Sequence, residues 1–200
     1  MPPSMRTEDV LPEMPVQNLF RIHAWQARSI AGVRIAFGIA WAIAAWLKWQ
    51  PAFQNSFVAQ ITGAQDGQIP VVQVWISWWG NLVSLNPLLL ARLEASMETA
   101  LAILLILGLF NNLTCILGIF LSLGIWTVAE GFGGPYMPGA STDIGTAFPY
   151  ILLFGLFLVV SAGRYYGLDQ WLTPRLGSLA WMASGALRRK PKHDSCRWPK

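Results

Sequence analysis

The chain has 200 residues, of which 54% are hydrophobic and 12% charged. Soluble globular domains carry about 25% charged residues, so this composition argues against an ordinary soluble enzyme and for a membrane domain. The formal net charge of +4 sits largely in the tail "RRKPKHDSCRWPK". Such a tail fixes orientation beside a bilayer and touches anionic headgroups. No recognition motif accompanies it, which speaks against nucleic acid.

Residues 1–27 read as a cytoplasmic segment. They open on the polar, proline-bearing stretch "MPPSMRTEDVLPEMP" and show no short apolar core of a cleavable signal. The first apolar block is therefore expected to stay as an anchor. A span needs about 20 predominantly apolar residues. Four segments fit, at 29–49, 88–110, 113–129 and 144–162, the third near the short limit. They predict an all-α fold, an integral membrane four-helix bundle with interfacial amphipathic helices, over residues 28–172. The turn "NNLT" would join the second and third spans as an antiparallel hairpin.

Lysines and arginines set the expected orientation. Arg6, Arg21 and Arg28 precede the first span, and Arg164, Arg175, Arg188, Arg189, Lys190 and Lys192 follow the fourth. Loop 51–87 has no lysine or arginine. Both termini are thus expected in the cytoplasm, in a multi-pass protein of the cell membrane. Within the outer loop, Val71, Val72, Trp75, Trp78, Trp79 and Leu82 fall on one helical face. This predicts an interfacial helix over 70–84, at the level of Trp46, Trp49 and Trp126. A weaker one is expected over 168–187, within a closing segment, 173–200, that ends in the basic tail.

Gly32, Ala36, Ala40 and Ala44 recur at four-residue steps, as in close helix packing. Cys115 reads as a small packing residue and Cys196 lies in the tail; they form no disulfide framework.

Ionisable residues inside spans are costly and mark candidate sites. The candidates are Arg34, Lys48, Arg92, Glu94, Glu98, Glu130 and Asp143. Glu94 and Glu98 share a helix face and repel one another when both are ionised. Either a cation compensates them or one keeps its proton. Lys48 meets Glu94 in depth. Arg34 would have to reach Glu98 from below across an axial gap of about 11 Å, with a water or polar ligand between. Buried ion pairs that fix helix register are the alternative. Lys48 and Arg92 form an anion-attracting rim or snorkel to headgroups. Arg34 and Asp143 are further substrate-site candidates; Arg34 also fits a packing role, and Asp143, with Ser141 and Thr142, fits the N-cap of the fourth span. Glu130 reads as a solvated helix end.

His23 and His193 are the only histidines, and both lie outside the spans. A bis-histidine haem and a histidine-rich metal site are therefore not expected. No dinucleotide fingerprint or P-loop is present. Any electron transfer would need an exchangeable partner such as quinone, or another subunit.

The stretches "RIAFGIAWAIAAWLKWQPAF" (34–53) and "DIGTAFPYILLFGLFLVVSAGRYYGLDQWL" (143–172), with the glutamate-bearing second span, resemble the DoxX/DoxD family of small four-helix membrane proteins. "SAGRYYGLD" points to the DoxD-like branch. The resemblance spans about residues 28–172. It implies a subunit of thiosulfate:quinone oxidoreductase that oxidises thiosulfate at the outer face, reduces membrane quinone and has a smaller DoxA-like partner. Under it, Glu98 and Glu94 would take or relay protons, Lys48 and Arg92 would attract the dianion, and Trp46, Trp49 and Tyr150 would line a quinone slot. A non-catalytic scaffold subunit of a larger membrane redox complex is the alternative. A carrier is disfavoured because the chain shows no inverted repeat.

Overall fold

The computed structural model describes residues 24–136 and 143–184, and they form an all-helical fold. Expectations that fall on residues 1–23, 137–142 and 185–200 lie outside the described residues. Prolines punctuate the first half. Helix α1 (Ala24–Lys48) stops just before Gln50–Pro51, because proline disfavours helical backbone in the residue ahead of it. Pro51, Pro70 and Pro87 then each occupy the first helical position, where a missing N–H costs nothing. They start α2 (Pro51–Gly63), α3 (Pro70–Ser84) and α4 (Pro87–Leu107). The side chain of Asn86 caps α4 by accepting from Leu89 N at 3.2 Å, and Gly108 closes it at φ 61°, a conformation that costs glycine least.

The chain turns over residues 108–110 into α5 (Asn111–Gly124), which runs on through one π-turn, Ile125–Ala129. "NNLT" is therefore the first turn of α5, and the hairpin turn lies just ahead of it. After a connection, α6 (Ala147–Val159) returns.

The expected interfacial helix over 168–187 is not continuous. It breaks into α7 (Asp169–Leu172) and two short 3-10 turns. Pro174 removes a backbone donor, and Gly177 sits at φ 53°, so no single helix persists.

The helices pair as α1 with α4 and α5 with α6. Gly38 lets the first pair close, since a Cβ there would lie 2.7 Å from Ile106 Cγ1. Rings join the pairs: Phe37 of α1 meets Phe154 of α6 at 5.0 Å and Tyr150 at 5.3 Å. This core is continuous with Trp41, Leu105, Cys115 and Phe157. At one end, here the head, α2 and α3 fold over the bundle on a second core of Phe57, Ile61, Ile76 and Val83. The opposite end, the base, holds the start of α1, the α4–α5 turn and residues 162–184. The sequence reading had no helix at 51–63. On α3 the face turned inward is Ile76, Gly80 and Val83, and Trp75 and Trp78 are exposed.

Among the described residues two helices, Ala24–Lys48 and Asn111–Ala129, are long and apolar enough to cross a membrane. α4 is long enough but carries Arg92, Glu94 and Glu98, and α6 has 13 residues, about 20 Å of helix.

Candidate functional site

Two buried charged clusters lie at opposite ends of the bundle. At the base, the fully buried Arg34 donates to four backbone carbonyls: Leu105 at 3.0 Å, Ala162 at 2.7 Å, Tyr165 at 3.1 Å and Tyr166 at 3.3 Å. The first is a carbonyl in the last turn of α4 that also accepts from Gly108 N at 3.2 Å, and the others belong to the loop after α6, where helix ends leave acceptor capacity to fill. Asp169 does the converse. Its carboxylate accepts from Phe110 N at 2.7 Å, Asn111 N at 2.9 Å and Ser184 N at 2.8 Å. Two of these donors open α5, whose dipole favours an anion there. "SAGRYYGLD" thus folds as a clamp: Ala162, Tyr165 and Tyr166 supply acceptors to Arg34, and Asp169 caps α5.

At the head, Lys48 closes α1 and meets two carboxylates of α4. It contacts Glu94 directly and donates to Glu98 Oε1 at 2.7 Å. Glu98 is 1% exposed, and its Oε2 is buried with no hydrogen-bond partner among the described residues. The Lys48 ammonium also lies 5.3 Å from the centroid of the Phe53 ring on α2, within cation–π range.

Lys48 and Glu94 border a cleft of about 740 Å³, within the size range of ligand pockets. Its walls are α4 and α5, and α2 and α3 roof it. Its lining is apolar along most of its length, with Phe53, Phe57, Trp79 and Phe120 as its rings. The ionisable groups in its lining, among the described residues, are Lys48, Glu94 and Glu130. Trp79 Nε1 is buried and unpartnered among the described residues.

The other expected site residues lie apart from this cluster. Arg34 points to the base, away from Glu98. The reason is helical geometry: Cα–Cβ bonds tilt toward a helix's own N-terminus. Arg34 on α1 leans to the base, and Glu98 on antiparallel α4 leans to the head. Arg92 is exposed and makes no ion pair among the described residues. Asp143 is exposed and accepts from Gly145 N at 2.8 Å, a local turn. It does not cap α6. Glu130 does: its carboxylate accepts from Ala147 N at 3.0 Å and from the Thr146 hydroxyl, so it is not a free helix end.

Trp46, Trp49 and Tyr150 do not border the cleft. Trp46 is exposed, Trp49 donates to Thr99 Oγ1 at 3.1 Å, and Tyr150 packs on Phe37 and Trp41. The lining rings on α2 were missed, although Pro51 at a helix start and Phe53 and Phe57 one turn apart were a readable signal.

Comparison with protein-family models, curated proteins and solved structures gives no match for the chain.

Proposed function

We propose that the chain is a multi-pass protein of a prokaryotic plasma membrane, of DoxX/DoxD-like kind, serving as the membrane subunit of a quinone-linked sulfur oxidoreductase of the thiosulfate:quinone type. The observation that carries this reading is the Lys48–Glu94–Glu98 cluster beside an apolar cleft. A quinone needs an apolar slot for its tail and proton-exchanging groups at its ring, and the cleft combines the two. Reduction of one quinone takes two electrons and two protons. Joining two thiosulfates through a new S–S bond to give tetrathionate releases the two electrons. Glu94 would deliver protons to the ring oxygens, Glu98 behind it would relay them, and Lys48 would hold the carboxylates together between transfers.

The surface supports a bilayer. Apolar side chains crowd the outside, among them Ile43, Phe120, Leu152 and Val159, and Arg34 and Glu98 are buried, a pattern a soluble monomer of this size rarely shows. Exposed tryptophans form two bands. Trp25, Trp171 and Trp181 lie at the base, and Trp46, Trp75 and Trp78 at the head. Trp25 and Trp46 are separated by about 30 Å along α1, the thickness of a hydrocarbon core, with tryptophan at each interface. Arg164 and Arg175 at the base favour a cytoplasmic base and an outer head.

The thiosulfate half rests on the resemblance, because Lys48 faces two carboxylates and Arg92 stands apart. A DoxA-like partner or a larger redox complex would supply the donor side. A scaffold subunit is the second reading, favoured by the exposed stripe Gly32, Ala36 and Ala40 on α1, which suits a neighbouring helix.

Quinone reduction with thiosulfate as donor tests the reading, on protein purified with whatever copurifies. Turnover lost in Glu98→Gln and Lys48→Ala, in variants that keep their fold, is the expected result. Full turnover in both variants, or none in the wild type despite an intact complex, would remove the chemistry from this chain.

A further inference from the structure

The charges around the cleft decide what head it accepts. Among the described residues Lys48 is the only cation that borders it; Glu94 and Glu130 border it too, and Glu98 lies behind against Lys48. With these groups ionised, one cation stands against three carboxylates; the N-terminus of α6 compensates Glu130, and one negative charge beside Lys48 remains uncompensated. The ammonium already meets Glu94, Glu98 and the Phe53 ring, so little of its field is left for an incoming anion. Acceptor capacity is nevertheless present, because Glu94 borders the cleft and can accept a hydrogen bond.

The mouth is equally informative. Leu93 and Met97 of α4 and Leu117 and Phe120 of α5 border the cleft, yet are themselves 42–67% exposed. An opening framed by large exposed apolar side chains suits entry from hydrocarbon rather than from water.

We infer that this cleft selects an uncharged, oxygen-bearing head carried on an apolar tail, admits it sideways from the bilayer, and rejects anionic amphiphiles and thiosulfate alike. The inference rests on the reading of the cleft as a quinone site and sharpens it. Like-charge repulsion in a poorly solvated cleft is far less screened than in water, so a phosphate head opposite that uncompensated carboxylate charge is disfavoured.

The test uses the full chain in mild detergent and two probes of equal tail length, a decyl-tailed benzoquinone and decyl phosphate, followed by calorimetry. The quinone is expected to bind saturably, and decyl phosphate about tenfold or more weakly. A Cβ at Gly124, which lines the cleft, meets nothing within 4 Å, so Gly124→Leu should fold normally and weaken quinone binding about tenfold or more. Glu94→Gln with Glu98→Gln should narrow the discrimination between probes. If that pair does not fold, Gly124→Lys adds a cation to the same cleft and should strengthen decyl phosphate binding. Equal affinity of the wild type for both probes overturns the charge selection and leaves the quinone reading standing. Unaltered quinone binding in Gly124→Leu places the ligand elsewhere and overturns the inference. No saturable quinone binding at all overturns both.

Discussion

The base and the head each bury charge, but they use it in opposite ways. At the base the two buried charges have fixed backbone partners: Arg34 donates to four carbonyls and Asp169 accepts from three amides. Nothing exchangeable faces a cavity there. At the head the partners are side chains of one small cluster, Glu98 Oε2 is unpartnered among the described residues, and a cleft adjoins. A charge tied to backbone joins chain segments. A charge tied to titratable side chains beside a cleft can change state. Burial alone therefore does not mark a functional charge; the identity of its partners does.

The largest expected break in this contrast is Arg34→Ala. It removes the donor that Tyr165 and Tyr166 share with Leu105 and Ala162, whose carbonyls keep only a backbone N–H each, empties a fully buried site, and should cost about 3–5 kcal/mol. Arg34→Lys should recover little of it, because an ammonium cannot reproduce the guanidinium fork. Denaturant or thermal unfolding in detergent measures both. A wild-type midpoint in either variant would show that the clamp does not hold the base together.

At the head, Lys48→Met alone should cost about 3 kcal/mol by leaving buried carboxylates unpaired. Combined with Glu94→Gln and Glu98→Gln it should regain most of that stability, yet stay inactive in quinone reduction. If the triple variant is no more stable than Lys48→Met, the head is a structural clamp like the base.

Gly108→Ala tests the base from the backbone side. Gly108 sits at φ 61° with the Arg34 guanidinium 2.7 Å from where a Cβ would be. A loss of about 1–2 kcal/mol is expected from the left-handed strain and the displaced arginine; an unchanged melting midpoint would show that the turn yields freely. The smallest effect is at Glu130. Glu130→Gln should cost about 1 kcal/mol by weakening the cap on α6, with hydrogen exchange rising first at the start of that helix. Unaltered exchange there would separate Glu130 from the cap.

The apolar blocks marked α1, α4 and α5, but the expected second span, 88–110, runs through Gly108, where the helix ends at Leu107. Pro51, Pro70 and Pro87 fix helix starts by removing N–H groups, and Gly108 fixes an end by its left-handed backbone. The reading missed α2 because weak amphipathicity hid it inside a loop, and it extended one helix across Pro174 and Gly177, where the backbone breaks. Among site residues, Lys48 with Glu94 followed from depth alone, since both lie at the same end of antiparallel helices. Trp46, Trp49 and Tyr150 were grouped by composition, and the fold sends them to three different surroundings.

Sequence by itself determined the all-helical class, the helix boundaries set by proline and glycine, and the placing of two acids one turn apart on α4. These depend on a residue and its near neighbours. Only the tertiary structure decided that Arg34 holds the base and Lys48 the acids, that "SAGRYYGLD" is a clamp, and that α4 and α5 part to leave a cleft. Those outcomes depend on which helices lie side by side and on side chains of antiparallel helices leaning in opposite directions, and pairings between distant segments are not encoded in any local spacing.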